Sequence, residues 1–359
     1  MGKQRIQLID VLRGHFLFAI LFDHLGGILG PSLFYFYNWY GWLWVSAAEG
    51  FVFISGFMFG YIYIFKSHKS FLSTTQSILR RIGLLYIVSI VLTVIYSRLF
   101  WFNSLPLSGI FAPDWRPVIG EIVYRSLLLQ HYYGWADILS LYIYCLVFAI
   151  PIIYLLRKKL YGPALIGSFL LWAGAFLEVL PEIKVSSFHV FSWQFLFVIG
   201  IACGAQFEKV KQIVSYISKS HLIQVILMIC AILIIAGSLL FPDPVFFGIR
   251  VFEKGMLVFG RLALFPVWLS AMVVLAKLFM RFAPKSLVTL YTYLGERSLV
   301  VYTTQSFFIT IVTVATDIYL PQNYWINTAI IAVATMFLVF SVTLFEKGIH
   351  YVKRSQVKI

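Results

Sequence analysis

Residues 8–24 read LIDVLRGHFLFAILFDH, an aliphatic and aromatic run that also carries Asp10, Arg13, His15, Asp23 and His24. Extended to about residue 29, it is long enough to cross the hydrocarbon of a bilayer, about 30 Å thick, which takes about 20 mostly apolar residues. A basic start resembles the opening of a secretory signal. Here, however, charges interrupt the apolar stretch and no small-residue cleavage site follows, so it reads as a retained first span.

The same kind of run recurs along the whole chain. About ten spans are expected, at 8–29, 40–65, 82–102, 136–156, 163–181, 189–206, 221–241, 257–280, 297–316 and 324–346. Turn chemistry separates them, as at Gly30-Pro31, Gly162-Pro163, Pro242-Asp243-Pro244, Ala283-Pro284 and Pro321-Gln322. Composition agrees: of 359 residues, 61% are apolar and 12% charged. A soluble domain carries about twice that charged fraction, so the main solvent here is lipid. The expected fold is all-α and polytopic, one integral-membrane domain over 1–359. Ile119 to Gln130, inside the longest connection, suits a short helix lying at the interface. The three cysteines, Cys145, Cys203 and Cys230, lie in apolar runs and suggest no disulfide framework.

The net charge of +14 has a topological explanation. With the N-terminus inside, most of the basic residues fall on inner connections. They include Lys66, Lys69, Arg80, Arg81, Arg157, Lys209, Lys285, Arg297 and the tail from Lys347 to Lys358. Lys and Arg concentrate on the cytoplasmic side of membrane proteins. The expected arrangement is therefore N-in and C-in, and no nucleic-acid partner is needed to explain the charge.

Ionisable groups inside a span cost about 3 kcal/mol each at its centre, which makes them the first place to look for function. Arg13 and His24 are eleven positions apart, about three turns, so they share one helix face with their Cα atoms about 16 Å apart along the axis. Arg13 then lies toward the inner surface and His24 toward the outer one. Glu49, in the second span, falls at a depth close to that of His24 and needs a partner, for which His24 or Arg13 is a candidate. Gly50, Gly56 and Gly60 suit close helix approach. Toward the outer side lie His131, Tyr132, Asp137, Trp193, Gln194 and Arg261, with Tyr302 and Gln305 at mid-depth. Toward the inner side lie Arg80, Arg81 and Arg297. Each of these has a plainer reading as an interfacial anchor or core residue. No spacing of His or Cys suggests a metal site.

Several of these stretches resemble the OpgC family, membrane enzymes that succinylate osmoregulated periplasmic glucans within the acyltransferase family 3 clan. The Arg13 to His24 spacing is similar to the clan's first-span hallmark. Ile9-Asp-Val-Leu-Arg-Gly14 resembles the family's opening, and Ala48-Glu-Gly-Phe-Val-Phe-Ile-Ser-Gly56 its second-span signature. Ala136-Asp-Ile-Leu-Ser-Leu-Tyr142 resembles a segment in which Pro usually stands at the position of Ser140. Ser192-Trp-Gln-Phe-Leu-Phe-Val-Ile-Gly200 resembles the Trp-Gln motif, preceded here by Phe188-His-Val-Phe where Asn-Pro is common. Leu294-Gly-Glu-Arg-Ser-Leu299 resembles the clan's late Gly-x-x-Ser-Leu segment.

The resemblance implies a multi-pass enzyme of the cell's inner membrane. It implies acyl-CoA as co-substrate, succinyl-CoA in this family, and a periplasmic glucan as acceptor. Arg13, Arg80, Arg81 and Arg297 are the expected donor-binding residues. Asp137, Tyr132, Trp193, Gln194 and Arg261 are the expected acceptor-binding residues. His24, with Glu49, Asp23 and Arg13, forms the expected catalytic set, because an imidazole titrating near neutrality can take a hydroxyl proton. Two alternatives stay open from the residues alone. One is a transporter or flippase for an acidic solute, using the same buried charges. The other is an O-acetyltransferase of another envelope polysaccharide.

Overall fold

The structure, a computed structural model, describes residues 6–34, 43–102, 119–129, 135, 137–242, 244–246, 249–319 and 323–356. Helices dominate it, since a chain in lipid must satisfy each backbone N–H and C=O within its own segment. In chain order, the first five are α1 (Gln7–Leu29), α2 (Ala47–Gly60, continued by a π turn at Tyr61–Phe65), α3 (Phe71–Phe102), α4 (Ile119–Leu127) and α5 (Asp137–Arg157). Next come α6 (Tyr161–Phe176), the hairpin β1–β2 (Lys184–Val185 and Phe188–His189), α7 (Val190–Ala205), α8 (Phe207–Lys219) and α9 (His221–Leu240). A second hairpin, β3–β4 (Val245–Phe246 and Ile249–Arg250), precedes α10 (Phe259–Phe282), α11 (Lys285–Glu296), α12 (Ser298–Tyr319) and α13 (Tyr324–Gln356).

Among the described residues, seven helices are long and apolar enough to cross a membrane, or eight if α7 and α8, bent by 90° at their junction, form one span. The count of about ten expected from sequence is larger. Each of its ten stretches overlaps a helix, but α6 has only 16 residues and α1 carries the five ionisable side chains quoted above. Ile119–Leu127 is the short helix expected in the long connection, and its face repeat is strongly amphipathic.

The chain gathers into two compact units. One is Trp42–Lys277; the other joins Met1–Gly41 to Leu278–Ile359. Within Trp42–Lys277 the tightest seam is α2 against α7. Gly56 and Gly60 of α2 lie against the carbonyls of Phe197 and Ile201, while Gly200 and Gly204 of α7 lie against those of Phe53 and Phe57. A Cβ at any of the four would overlap backbone, so only glycine admits the approach. Small residues four apart are how helices in lipid, which lack a hydrophobic drive to associate, reach close van der Waals packing. Elsewhere in this unit, Ser89 and Ser140 hydrogen-bond at 2.8 Å between α3 and α5. Arg157, at the end of α5, donates to the carbonyls of Lys69 (3.0 Å) and Tyr63 (2.7 Å) and to Thr74 Oγ1 (2.8 Å). It thus pins the α2–α3 connection.

In the other unit, α11 packs across α1. Gly14 lies against the Tyr291 carbonyl and Gly295 against the Asp10 carbonyl. The Tyr291 ring meets Phe18 at 5.0 Å and Phe279 at 4.9 Å between centroids. At the far end of α1, Asn327 of α13 donates to the carbonyls of Leu29 (2.7 Å) and Pro31 (3.1 Å). This caps carbonyls that a helix end leaves unpaired.

Candidate active site

In the unit containing α1, Arg13 donates from Nη2 to Ser298 Oγ, at the first residue of α12. That bond joins residues 285 positions apart. Arg297 immediately precedes Ser298. It donates to Glu296 Oε2 (2.9 Å) and the Tyr293 carbonyl (3.1 Å), with its guanidinium 3.9 Å from the Tyr293 ring centroid. Two of the expected donor-binding cations, Arg13 and Arg297, thus meet at the α11–α12 turn, with Asp10 buried one helical turn before Arg13.

The direction of α12 follows from its two ends. It starts at Arg13. It finishes at Tyr319, shortly before α13 begins beside Leu29 and Pro31. So α12 runs parallel to α1, from the level of Arg13 to the level of Leu29. His24 and Asp23 are half-buried near that far end, His24 on the Arg13 face. Between the two ends lies Gln305. It is 1% exposed, and among the described residues neither of its amide atoms has a hydrogen-bond partner.

In the unit Trp42–Lys277, Glu49 is fully buried at the first turn of α2. Ser46 caps that helix: its backbone N–H donates to Glu49 Oε2 at 3.0 Å, and its hydroxyl donates to the same oxygen. The other carboxylate oxygen forms an ion pair with Arg261 Nη1. Arg261 is 3% exposed and also donates to the carbonyls of Phe252 (2.8 Å) and Leu43 (3.2 Å). The sequence reading looked to His24 or Arg13 as the partner of Glu49. Within its own unit the carboxylate has Arg261, which that reading had set aside for the acceptor.

Trp193 and Gln194 are buried as well. Trp193 Nε1 donates to the carbonyls of Lys254 (3.2 Å) and Gly255 (3.0 Å). Gln194 accepts from Ser168 Oγ (2.8 Å) and donates to the carbonyls of Ser168 (2.8 Å) and Phe191 (2.9 Å), which ties α6 to α7. Both residues spend their polar atoms on the protein. Asp137, half-buried at the start of α5, accepts from its neighbour Ile138 N (2.7 Å) and faces Ser186 and Lys254. Tyr132 and His131 lie outside the described residues.

Near Trp193, burial holds the His189 imidazole below its usual pKa. Its Nδ1 and Ser192 Oγ have no partner among the described residues. Glu182, on the surface beside this hairpin, is held below the usual carboxylate range by its hydrogen bond with Lys184. In α3, Arg81 turns inward over the rings of Phe59 (5.3 Å) and Tyr142 (5.7 Å), while Arg80 is exposed. Among the described residues no three His, Cys, Asp or Glu side chains are placed to hold a metal ion.

The partners that sequence reasoning missed are Ser298 for Arg13, and Ser46 and Arg261 for Glu49. Only Ser46 had a readable signal: Ser46-Ala-Ala-Glu49 is the Ser-x-x-Glu pattern of a capping box.

Compared with known proteins, the chain matches the family model described as OpgC protein over residues 5–347. No curated protein and no solved structure matches it.

Proposed function

Because the chain belongs to the OpgC family, whose membership implies acyltransferase activity, we propose that it moves a succinyl group from cytoplasmic succinyl-CoA to hydroxyls of an extracytoplasmic glucan. The proposal takes residues 1–359 as one acyltransferase domain of the inner membrane, with ten spans and both termini in the cytoplasm. The loop-by-loop basic bias supports that orientation, and α1, α6 and α7 supply the helices beyond those that are both long and apolar enough alone.

The observation that carries the reading is the α1–α12 pair. It holds a cation at one end, through Arg13 and Ser298, and an imidazole about 16 Å away on the same face. A thioester donor fits such a line. Arg13 and Arg297, at the α11–α12 turn, meet its phosphates, since guanidinium groups bind phosphate oxygens with paired, charge-assisted bonds. The pantetheine arm then runs along α1 and brings the thioester to His24. The imidazole takes the proton of the glucan hydroxyl, the oxygen attacks the thioester carbonyl, and the proton passes to the departing thiolate. Asp23, beside His24 on α1, stabilises the positive charge that forms, while Glu49, paired with Ser46 and Arg261, holds the start of α2 in its own unit. Asp137 and Tyr132 receive the sugar. Trp193, Gln194 and Arg261 support that region from behind, because their own polar atoms are committed to the protein.

Mass spectrometry of envelope glucans tests this directly. Cells expressing the protein should add succinyl groups to the glucan, and cells carrying the His24→Ala form should not. Unmodified glucan in both would overturn the proposal, and acetyl in place of succinyl would correct the donor.

A further inference from the structure

Among the described residues, Gln305 differs from the other buried amides in having no hydrogen-bond partner. Gln194 and Asn327, both buried, use their amides on named carbonyls and a hydroxyl. Gln305 is equally buried, and among the described residues both its Oε1 and its Nε2 are unpaired. Leaving a buried amide unpaired forfeits its hydration with no return, so such groups in native proteins call for an explanation.

Its position supplies one. Ser298 faces α1, because it accepts from Arg13. Gln305 follows Ser298 by seven residues, two turns within about 20°, so it presents the same face about 10 Å farther along α12. Since α12 and α1 run parallel, Gln305 stands between the level of Arg13 and that of His24. On the corresponding face of α1, the residues between those two are Leu17 and Ile20, whose side chains neither donate nor accept. Gln305 therefore stands part-way in level from Arg13 to His24, where the α1 face that carries those two residues is apolar.

We propose that Gln305 binds the acyl donor, gripping an amide or the thioester carbonyl of the acyl-pantetheine arm on its way from Arg13 to His24. This rests on the acyl-CoA reading above. The arm carries two secondary amides and a thioester in series, separated by methylenes, and the methylenes suit Leu17 and Ile20. A neutral carboxamide offers two donors and an acceptor to those groups without burying a charge. Its close burial suits a ligand that is a single file of atoms.

The test uses the purified full-length chain in detergent. Binding of CoA is compared with that of adenosine 3′,5′-bisphosphate, which keeps the nucleotide end and lacks the arm. Gln305→Leu should weaken CoA about tenfold or more, the equivalent of about 1.4 kcal/mol, and leave the bisphosphate unchanged. The ligand-free variant should melt no lower than wild type, because an apolar side chain of similar size removes the unpaired amide. Unchanged CoA affinity in Gln305→Leu would overturn the inference. So would joint loss of both ligands with a lowered melting temperature, which would mark Gln305 as structural. If the wild type bound CoA no better than the bisphosphate, the arm would have no site and this inference alone would fall. If it bound neither, the acyl-CoA reading would fall with it.

Discussion

Replacing Glu49 with Gln keeps the shape of the side chain and removes its charge, and the surroundings of Arg261 set the consequence. Both partners are almost wholly inaccessible, with side chains 0% and 4% exposed. Among the described residues Arg261 would keep no carboxylate, and only neutral acceptors such as the carbonyls of Phe252 and Leu43 would face its full positive charge. The new amide would also turn its N–H groups toward either Arg261 or Ser46, both donors. Breaking one partner of a buried ion pair costs about 3–5 kcal/mol, and that is the loss expected for Glu49→Gln. Arg261→Met should cost a similar amount, by stranding the carboxylate. The double variant, Glu49→Leu with Arg261→Met, strands no charge and should cost no more than either single change. Unfolding free energies from SDS titration in mixed micelles would measure all three. If the double variant's cost equals the two single costs added together, the residues do not act as a buried pair and the reasoning fails.

Four other outcomes are expected. His24→Ala should lower glucan acylation about 10²–10⁴-fold per folded molecule, the usual range for a lost general base; near-normal activity would move the base elsewhere, with His131 the next residue to try. Gly204→Val should destabilise by about 1–3 kcal/mol through overpacking, while Gly167→Ala, where a Cβ meets nothing within 4 Å, should stay within about 0.5 kcal/mol of wild type; comparable melting of the two would argue against the α2–α7 seam. Because burial lowers the His189 pKa, the unfolded chain binds the extra proton first, so stability should hold above about pH 6.5 and decline as pH falls below it; His189→Gln should flatten that decline, and an unaltered profile would exclude this group as its source. Reporter fusions at the C-terminus should place it in the cytoplasm, and an outside location would mean a miscounted span.

Much of the fold was legible because lipid imposes one rule, that an apolar stretch of sufficient length be helical. That rule located the helices from 8–29 to 324–346. It did not decide which of them cross the bilayer by themselves, since α6 is short and α7 bends sharply into the amphipathic α8. The site was legible in residue type more than in partnership. Arg13, Glu49 and Arg261 stood out because buried charge is costly. The groups that satisfy them were hidden by distance along the chain, as with Ser298 and Arg13. Trp193 and Gln194 stood out as polar groups at that depth, and the resemblance implied an acceptor role for them, but nothing in the sequence indicated that their polar atoms meet Ser168, Phe191 and the carbonyls of Lys254 and Gly255. Half of the glycine seam was read, from Gly56 and Gly60. Its other half, Gly200 and Gly204, has the same spacing, but nothing in the sequence says which two helices are to meet.

The division of the chain into 42–277 and the joined ends 1–41 and 278–359 bears on how the protein is made. The first helix leaves the ribosome carrying Asp10, Arg13, Asp23 and His24, and the helices that pack against it are the last to be translated. At synthesis rates of about 5–20 residues per second, α1 waits roughly 10–50 s for α11 and α12. During that interval the intervening segment can complete its own helix pairs, including the glycine seam. A premature stop before residue 278 would leave a membrane-inserted first helix whose Arg13 never receives Ser298. Such a fragment is a natural substrate for membrane quality control, and late truncations of this protein would be expected to disappear from the cell instead of accumulating in inactive form.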